Sequence, residues 1–175
     1  MKRDRQPIAK GVAVHYQPQR HLLKDRIILV TGASDGIGRE AALTYARYSA
    51  SVILLGRNDD KLRIVAQEIE REGGIPPRWF TLDLLTCTPQ ACQQLAQQIS
   101  MHYPRLDGVL HNAGLLGDIC PMDEQKPEVW QQVMQVNVNG TFMLTQALLP
   151  LLLRSESGSL VFTSSSVGRQ GRANW

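Results

Sequence analysis

Cysteine is scarce in this chain: its three residues, Cys87, Cys92 and Cys120, are odd in number and show no Cys-x-x-Cys spacing. This excludes a disulfide framework and a zinc site, and leaves reduced, structural thiols as the expectation. Long apolar runs are lacking too. The longest, "IILV" at 27–30 and "LLPLLL" at 148–153, fall far below the roughly 18 residues that cross a bilayer, so neither a spanning helix nor a membrane partner is expected. The first twenty residues, "MKRDRQPIAKGVAVHYQPQR", are basic, but the apolar piece after the charges is only "GVAV", too short for the apolar region of a signal peptide. Cytoplasmic residence is the resulting expectation.

Excess charge is confined to one end. Residues 1–20 hold Lys2, Arg3, Arg5, Lys10 and Arg20 against Asp4, so of the net +3 the remaining 155 residues carry −1. A near-neutral body has no basic stripe for a phosphate backbone, and nucleic acid is not an expected partner. The basic end reads as a flexible arm over residues 1–21, with patterning starting near Leu22. With 175 residues, 43% hydrophobic and 20% charged, the rest has the composition of one globular domain with a sizeable core.

From Leu22 onward the chain alternates in type. "RIILVTG" (26–32), "SVILLG" (51–56), "RWFTLD" (78–83), "LDGVLHNAG" (106–114) and "GSLVFTSSS" (158–166) are short, apolar and rich in branched residues, and predict buried strands. Helical spacing runs over 36–49, 59–72, 89–103 and 127–154, with Asn58 and Thr88 as N-caps, the second followed by Pro89. Strands alternating with helices imply βαβ units and a parallel α/β sheet covered on both faces.

One stretch points to chemistry. "ILVTGASDGIGRE" (28–40) runs a strand into Gly32, Gly36 and Gly38 and then into a helix. Such a turn lets a phosphate approach where a Cβ would block it, and offers free N–H groups at the positive end of the helix dipole. The glycines would instead serve helix packing if no ligand bound. A Walker A loop is excluded, because no Gly-Lys pair follows.

The Gly-x-x-x-Gly-x-Gly spacing of "TGASDGIG" resembles the cofactor motif of the classical short-chain dehydrogenases/reductases. Further matches follow in order: "LDLL" with Asp83, "HNAG" (111–114) with His111 for the usual first Asn, "NVNG" (137–140), and "GSLVFTSSSVG" (158–168). The chain from about residue 22 to 175 is thus identified as a member of that family, of bacterial NAD(P)-dependent type. The resemblance implies a Rossmann-type doubly wound sheet with five of the usual seven strands. It implies cofactor contacts at Gly32, Ser34, Asp35, Gly36, Ile37, Gly38, Arg57, Asn58, Asp83, Leu84, Asn112, Ala113 and Gly114. It also implies catalytic roles for Asn137 and for a serine at the end of the fifth strand, a small-molecule carbonyl or alcohol substrate, and a homo-oligomeric parent protein. Period-2 alternation sets Ser164 and Ser166 on one face and Ser165 on the other without choosing between them. The family pattern, a Ser followed by two residues and a Gly, selects Ser165.

At the end of the second strand an acidic residue would meet a free ribose 2′-OH, but Gly56 and Arg57 stand there. A guanidinium grips phosphate and the glycine leaves room, so NADP is favoured over NAD. Asp35 pulls the other way, because NADP users of the family often have a basic residue at that position. The family's Tyr-x-x-x-Lys, expected about thirteen residues beyond Ser165, is absent from the 175 residues. The chain therefore reads as C-terminally truncated and inactive alone. The leading reading is an oxidoreductase; the alternative is a non-catalytic dinucleotide-binding module or regulator, with a methyltransferase on a similar sheet a distant third. His111, Trp130 and the loop 115–127 are candidates for reaching the substrate.

Overall fold

The computed structural model describes residues 18–174. Five strands form one sheet: β1 (Ile27–Thr31), β2 (Ser51–Gly56), β3 (Arg78–Thr81), β4 (Gly108–His111) and β5 (Ser159–Phe162). All neighbours pair in parallel, in the order β3-β2-β1-β4-β5. The helices are α1 (Gly36–Arg47), α2 (Asp59–Arg71), α3 (Pro89–Ser100), α4 (Pro127–Met134) and α5 (Thr141–Leu152).

Alternation along the central strands feeds two cores. Leu29, Ile53, Leu55 and Val109 point to one face, where Cys92, Leu95 and Ile99 of α3 and Leu144 and Leu148 of α5 cover them. Val30, Val52, Leu54 and Leu110 point to the other, under Leu43 of α1 and Leu62, Val65 and Ile69 of α2. Each fully buried Leu or Ile contributes about 1.5–3 kcal/mol, so these two layers fix the strand register and hold the strand ends in place. Both expected caps form: Asn58 Oδ1 accepts from Lys61 N at 2.9 Å and Thr88 Oγ1 from Ala91 N at 3.1 Å, with Pro89 opening α3.

At the N-terminal ends of the strands Asp107, almost fully buried, ties the sheet together. It accepts from Ile27 N (3.0 Å), Arg105 Nε (2.9 Å) and Ser155 Oγ (2.6 Å). Burial pushes its pKa up, but the bonds from Ser155, Arg105 and Ile27 together outweigh it and hold the carboxyl below its usual value.

Four expectations need correction. β5 is exposed along its whole length instead of buried, since it is an edge strand of the sheet among the described residues. The segment 127–154 is not one helix: a π-helical turn, Gln135–Gly140, separates α4 from α5. The fifth strand stops at Phe162 instead of Ser166: Thr163 N still makes the last ladder bond, to His111 O (2.8 Å), and its hydroxyl donates to Asn112 Oδ1 (3.2 Å), but no strand continues beyond it. Alternation therefore does not apply to Ser164, Ser165 and Ser166. Of the arm expected over 1–21, residues 1–17 lie outside the described residues, as does Trp175. His21 itself is pinned, its Nδ1 lying 2.6 Å from Ser49 Oγ, and Leu23 N donates to Tyr48 O (3.0 Å). No helix among the described residues is long and apolar enough to cross a membrane.

Candidate functional site

The strand order reverses at β1. From there the chain winds outward to β2 and β3, then returns to β4 on the other side. A parallel sheet leaves a crevice at such a switch point, at the carboxyl ends of its strands. Here that crevice is a cleft of about 690 Å³. Gly32, Ser34, Asp35, Gly36, Arg57, Asn58, Asp83, Leu84, Asn112, Ala113 and Gly114 all line it. Ile37, Gly38, Asn137 and Ser165 do not.

The three glycines do different work. Gly32 has φ +65°, and a Cβ there would stand 3.0 Å from Ala113 Cα. Gly36 has φ +53°, and its Cβ would project into open space in the cleft wall. Gly38 is a packing residue, since its Cβ would fall 2.3 Å from Gly32 O and 2.6 Å from Asn112 Nδ2. Asp35 caps α1, its Oδ1 accepting from Gly36 N at 2.8 Å. The next first-turn N–H groups, of Ile37 and Gly38, have no acceptor within the helix. An uncovered helix N-terminus beside a missing side chain is the space a diphosphate needs, so the residues present fit a dinucleotide.

The wall on the β4 side, Asn112 to Gly114, is fastened by one residue that sequence reasoning missed. Thr31, buried at the end of β1, accepts at its hydroxyl from both Asn112 N (3.0 Å) and Ala113 N (2.9 Å). A hydroxyl ending the strand directly before Gly32 was the available signal. Asn137 sits on the π-helical turn, and its amide grips the backbone of Leu115, with Oδ1 accepting from N and Nδ2 donating to O, both at 2.8 Å. The π-turn thereby fixes the loop after Gly114. Each group of the amide keeps one further hydrogen-bonding position, a second proton on Nδ2 and a second lone pair on Oδ1.

At the opposite end stand Gly56, Arg57 and Asn58. The room expected at Gly56 is taken by Leu62, whose Cδ2 would lie 3.3 Å from a Cβ there. Arg57 is exposed, and among the described residues it has no acidic partner within 4.0 Å. Lys61, also missed, lines the cleft and pairs with Asp35, Nζ to Oδ2 at 3.0 Å. This bond, with the one from Gly36 N, holds the Asp35 carboxyl below its ordinary pKa. The signal was a second cation four residues after Arg57. Asp83 closes an Asx turn, Oδ1 accepting from Leu85 N (2.9 Å), with the buried Leu84 beside it.

Ser165 lies exposed just beyond β5, at the start of a short 3₁₀ turn, and its Oγ accepts from Val167 N at 3.4 Å. Its hydroxyl proton stays available. His111 does not reach the cleft: it is 4% exposed and stacks on Phe162, ring centroids 4.9 Å apart and planes 11° apart. Its Nε2 lies 3.0 Å from Thr145 Oγ1, whose hydroxyl donates to Thr141 O at 2.7 Å. With that proton spent, Nε2–H is the donor to Thr145. Nδ1 remains a buried acceptor without a partner among the described residues. Burial alone pushes the imidazole pKa down to about 4. Trp130 and the loop around Cys120 line a separate pocket of about 460 Å³.

A doubly wound parallel sheet with a glycine-seated cleft at its switch point defines a dinucleotide-binding α/β protein. Residues 26–175 match the family model described as short chain dehydrogenase, and the chain belongs to that family. It is 78% identical over 162 residues to the oxidoreductase YciK of Escherichia coli strain K12, covering 93% of this chain and 64% of that protein. A short-chain dehydrogenase of Escherichia coli CFT073, solved in complex with NADPH, superposes with a TM-score of 0.89 at 78% identity, covering 90% of this chain and 66% of that one. One from Shigella flexneri 2a, solved with NADP, gives 0.88 at 77% identity with the same coverages. The chain thus spans 64% of the length of the curated relative it matches.

Proposed function

We propose that the chain serves an NADP(H)-dependent oxidoreductase that interconverts a small-molecule carbonyl and alcohol. The observation that carries this reading is the cleft itself: the side-chain-free turn of Gly32 and Gly36 at the start of α1 at one point, and Arg57 free of any acidic partner among the described residues at another. Similarity to the NADP and NADPH complexes supports the same cofactor. Bound NADP(H) would supply or accept the hydride. Ile37 and Gly38 would hold its diphosphate through their N–H groups, Arg57 its 2′-phosphate, and Asp83 and Leu84 its adenine, with Asn112, Ala113 and Gly114 forming the wall toward β4. Ser165 would donate its free hydroxyl proton to the substrate oxygen and stabilise charge developing there. Asn137 would act as a positioning residue through its grip on Leu115. Cytoplasmic residence and a homo-oligomeric parent protein complete the proposal, the latter supported by the exposed Phe142 and Leu153 of α5 and its end.

No tyrosine among the 175 residues is followed by lysine at the fourth position, so these residues by themselves are proposed to bind cofactor without turnover. The second reading is a dinucleotide-binding module without catalysis. Ser165 and Asn137 favour the enzyme, since a pure binder has no use for both. The cofactor assignment is tested by Arg57→Ala in a fluorescence titration. A lost charge-assisted phosphate contact weakens NADPH by about tenfold or more and leaves NADH little changed. Equal losses for the two would overturn it.

A further inference from the structure

We propose that Lys61 is a second ligand for the ribose 2′-phosphate, held ready by Asp35, and that Arg57 and Lys61 together set the preference for a phosphorylated ribose. The proposal rests on the NADPH reading above. Asn58 caps α2 by accepting from Lys61 N at 2.9 Å, which fixes the lysine backbone one turn beyond Arg57. From there the side chain reaches across the cleft mouth to Asp35 at the start of α1, Nζ to Oδ2 at 3.0 Å. Gly56, Arg57, Lys61 and Asp35 all line this end of the cleft.

The charges match the ligand. Arg57 and Lys61 supply two positive charges for a group that carries nearly two negative ones at neutral pH. The other acids at this corner are occupied: Asp59 accepts from Trp79 Nε1 at 2.9 Å and Asp60 from Arg63 at 2.6 Å. Asp35 has its own structural reason to carry an acceptor instead of a base, since its other oxygen caps α1. Its presence at a position where a base would serve NADP is therefore no argument for NAD. The Lys61–Asp35 pair is open to water, with 55% and 78% of the two side chains exposed. Such a pair contributes little and breaks easily. A phosphate dianion offers Lys61 more charge than one carboxylate does, so the ammonium exchanges Asp35 for the phosphate when the cofactor enters.

The test is equilibrium binding, read by fluorescence or calorimetry, with NADPH, NADH and the minimal probes adenosine 2′,5′-bisphosphate and 5′-AMP. Lys61→Met keeps the aliphatic stem and removes the charge; Asp35→Asn keeps the helix cap and removes the competitor. Lys61→Met is expected to weaken NADPH and the bisphosphate by about tenfold while NADH and 5′-AMP change less than about twofold. Asp35→Asn is expected to tighten NADPH by about threefold, a gain that disappears in the double variant. Equal effects of Lys61→Met on phosphorylated and unphosphorylated ligands, no effect at all, or weaker NADPH binding by Asp35→Asn would overturn the proposal. If the unaltered protein binds NADPH no tighter than NADH, the NADPH reading itself fails. If it prefers NADPH and only Arg57→Ala removes that preference, the role of Lys61 alone fails.

Discussion

Acid should destabilise this protein through a single buried imidazole well before its carboxylates begin to titrate. His111 is neutral in the fold with a pKa of about 4, against 6.5 for an ordinary histidine, because burial opposes its charged form. Between these values the unfolded chain binds the proton and the folded one does not, so stability falls as pH falls. The contribution is complete above the unfolded value and is lost progressively below it. The loss is about 1 kcal/mol at pH 6, about 2 at pH 5 and about 3 at pH 4. Protonation also finds nothing to satisfy it: Nε2–H is already given to Thr145, and a proton on Nδ1 would face no acceptor among the described residues. Urea unfolding of the unaltered protein and of His111→Asn, at pH 8 and pH 5, checks the argument. The midpoint of the unaltered protein should drop by about 1 M across this range, and His111→Asn should show a drop smaller by nearly the whole amount, whatever its stability at pH 8. His111→Gln supplies a second non-titrating control. Equal drops in all three, or an imidazole that titrates above pH 6 by nuclear magnetic resonance, would refute the reasoning.

Two further substitutions probe the walls of the cleft. Gly38→Ala should destabilise by about 2 kcal/mol or more, since its Cβ would collide with Gly32 O at 2.3 Å and force α1 away from the sheet. Gly36→Ala, whose Cβ meets nothing, should cost only the left-handed strain, about 1 kcal/mol, yet depress cofactor binding more than stability; unfolding and NADPH titrations measured together separate the two effects. Thr31→Val should cost about 2 kcal/mol or more by stripping the acceptor from the N–H groups of Asn112 and Ala113, while Thr31→Ser should recover most of it. Equal stability of the Val and Ser variants would show that this shared hydroxyl does not fasten the loop.

Much of this was legible in the chain because it depends on local spacing. The strands β1 to β5 announce themselves as short branched runs, and Asn58 and Thr88 cap where they stand before their helices. The glycine turn is likewise readable, since Gly32, Gly36 and Gly38 lie in one seven-residue stretch. Alternation failed for Ser164 to Ser166, because β5 ends at Phe162 and its ladder to β4, some fifty residues away, makes its last bond at Thr163. Helical spacing over 127–154 gave no warning of the π-turn.

The sequence by itself determined the order and type of the elements, the glycine seat and the cationic end of β2, because each is a property of neighbouring residues and of the backbone they permit. Only the tertiary structure decided what those residues hold. It joined Asp35 to Lys61 across the mouth of the cleft and gave two backbone donors to Thr31. It set Asn137 on the backbone of Leu115 and placed His111 beneath Phe162, out of reach of the cleft. These contacts join residues 22 to 82 positions apart along the chain, or more than 50 in the case of His111 and Phe162. No local period encodes them. They form because packing the two hydrophobic layers against one sheet brings the carboxyl ends of β1, β2 and β4 to the same place.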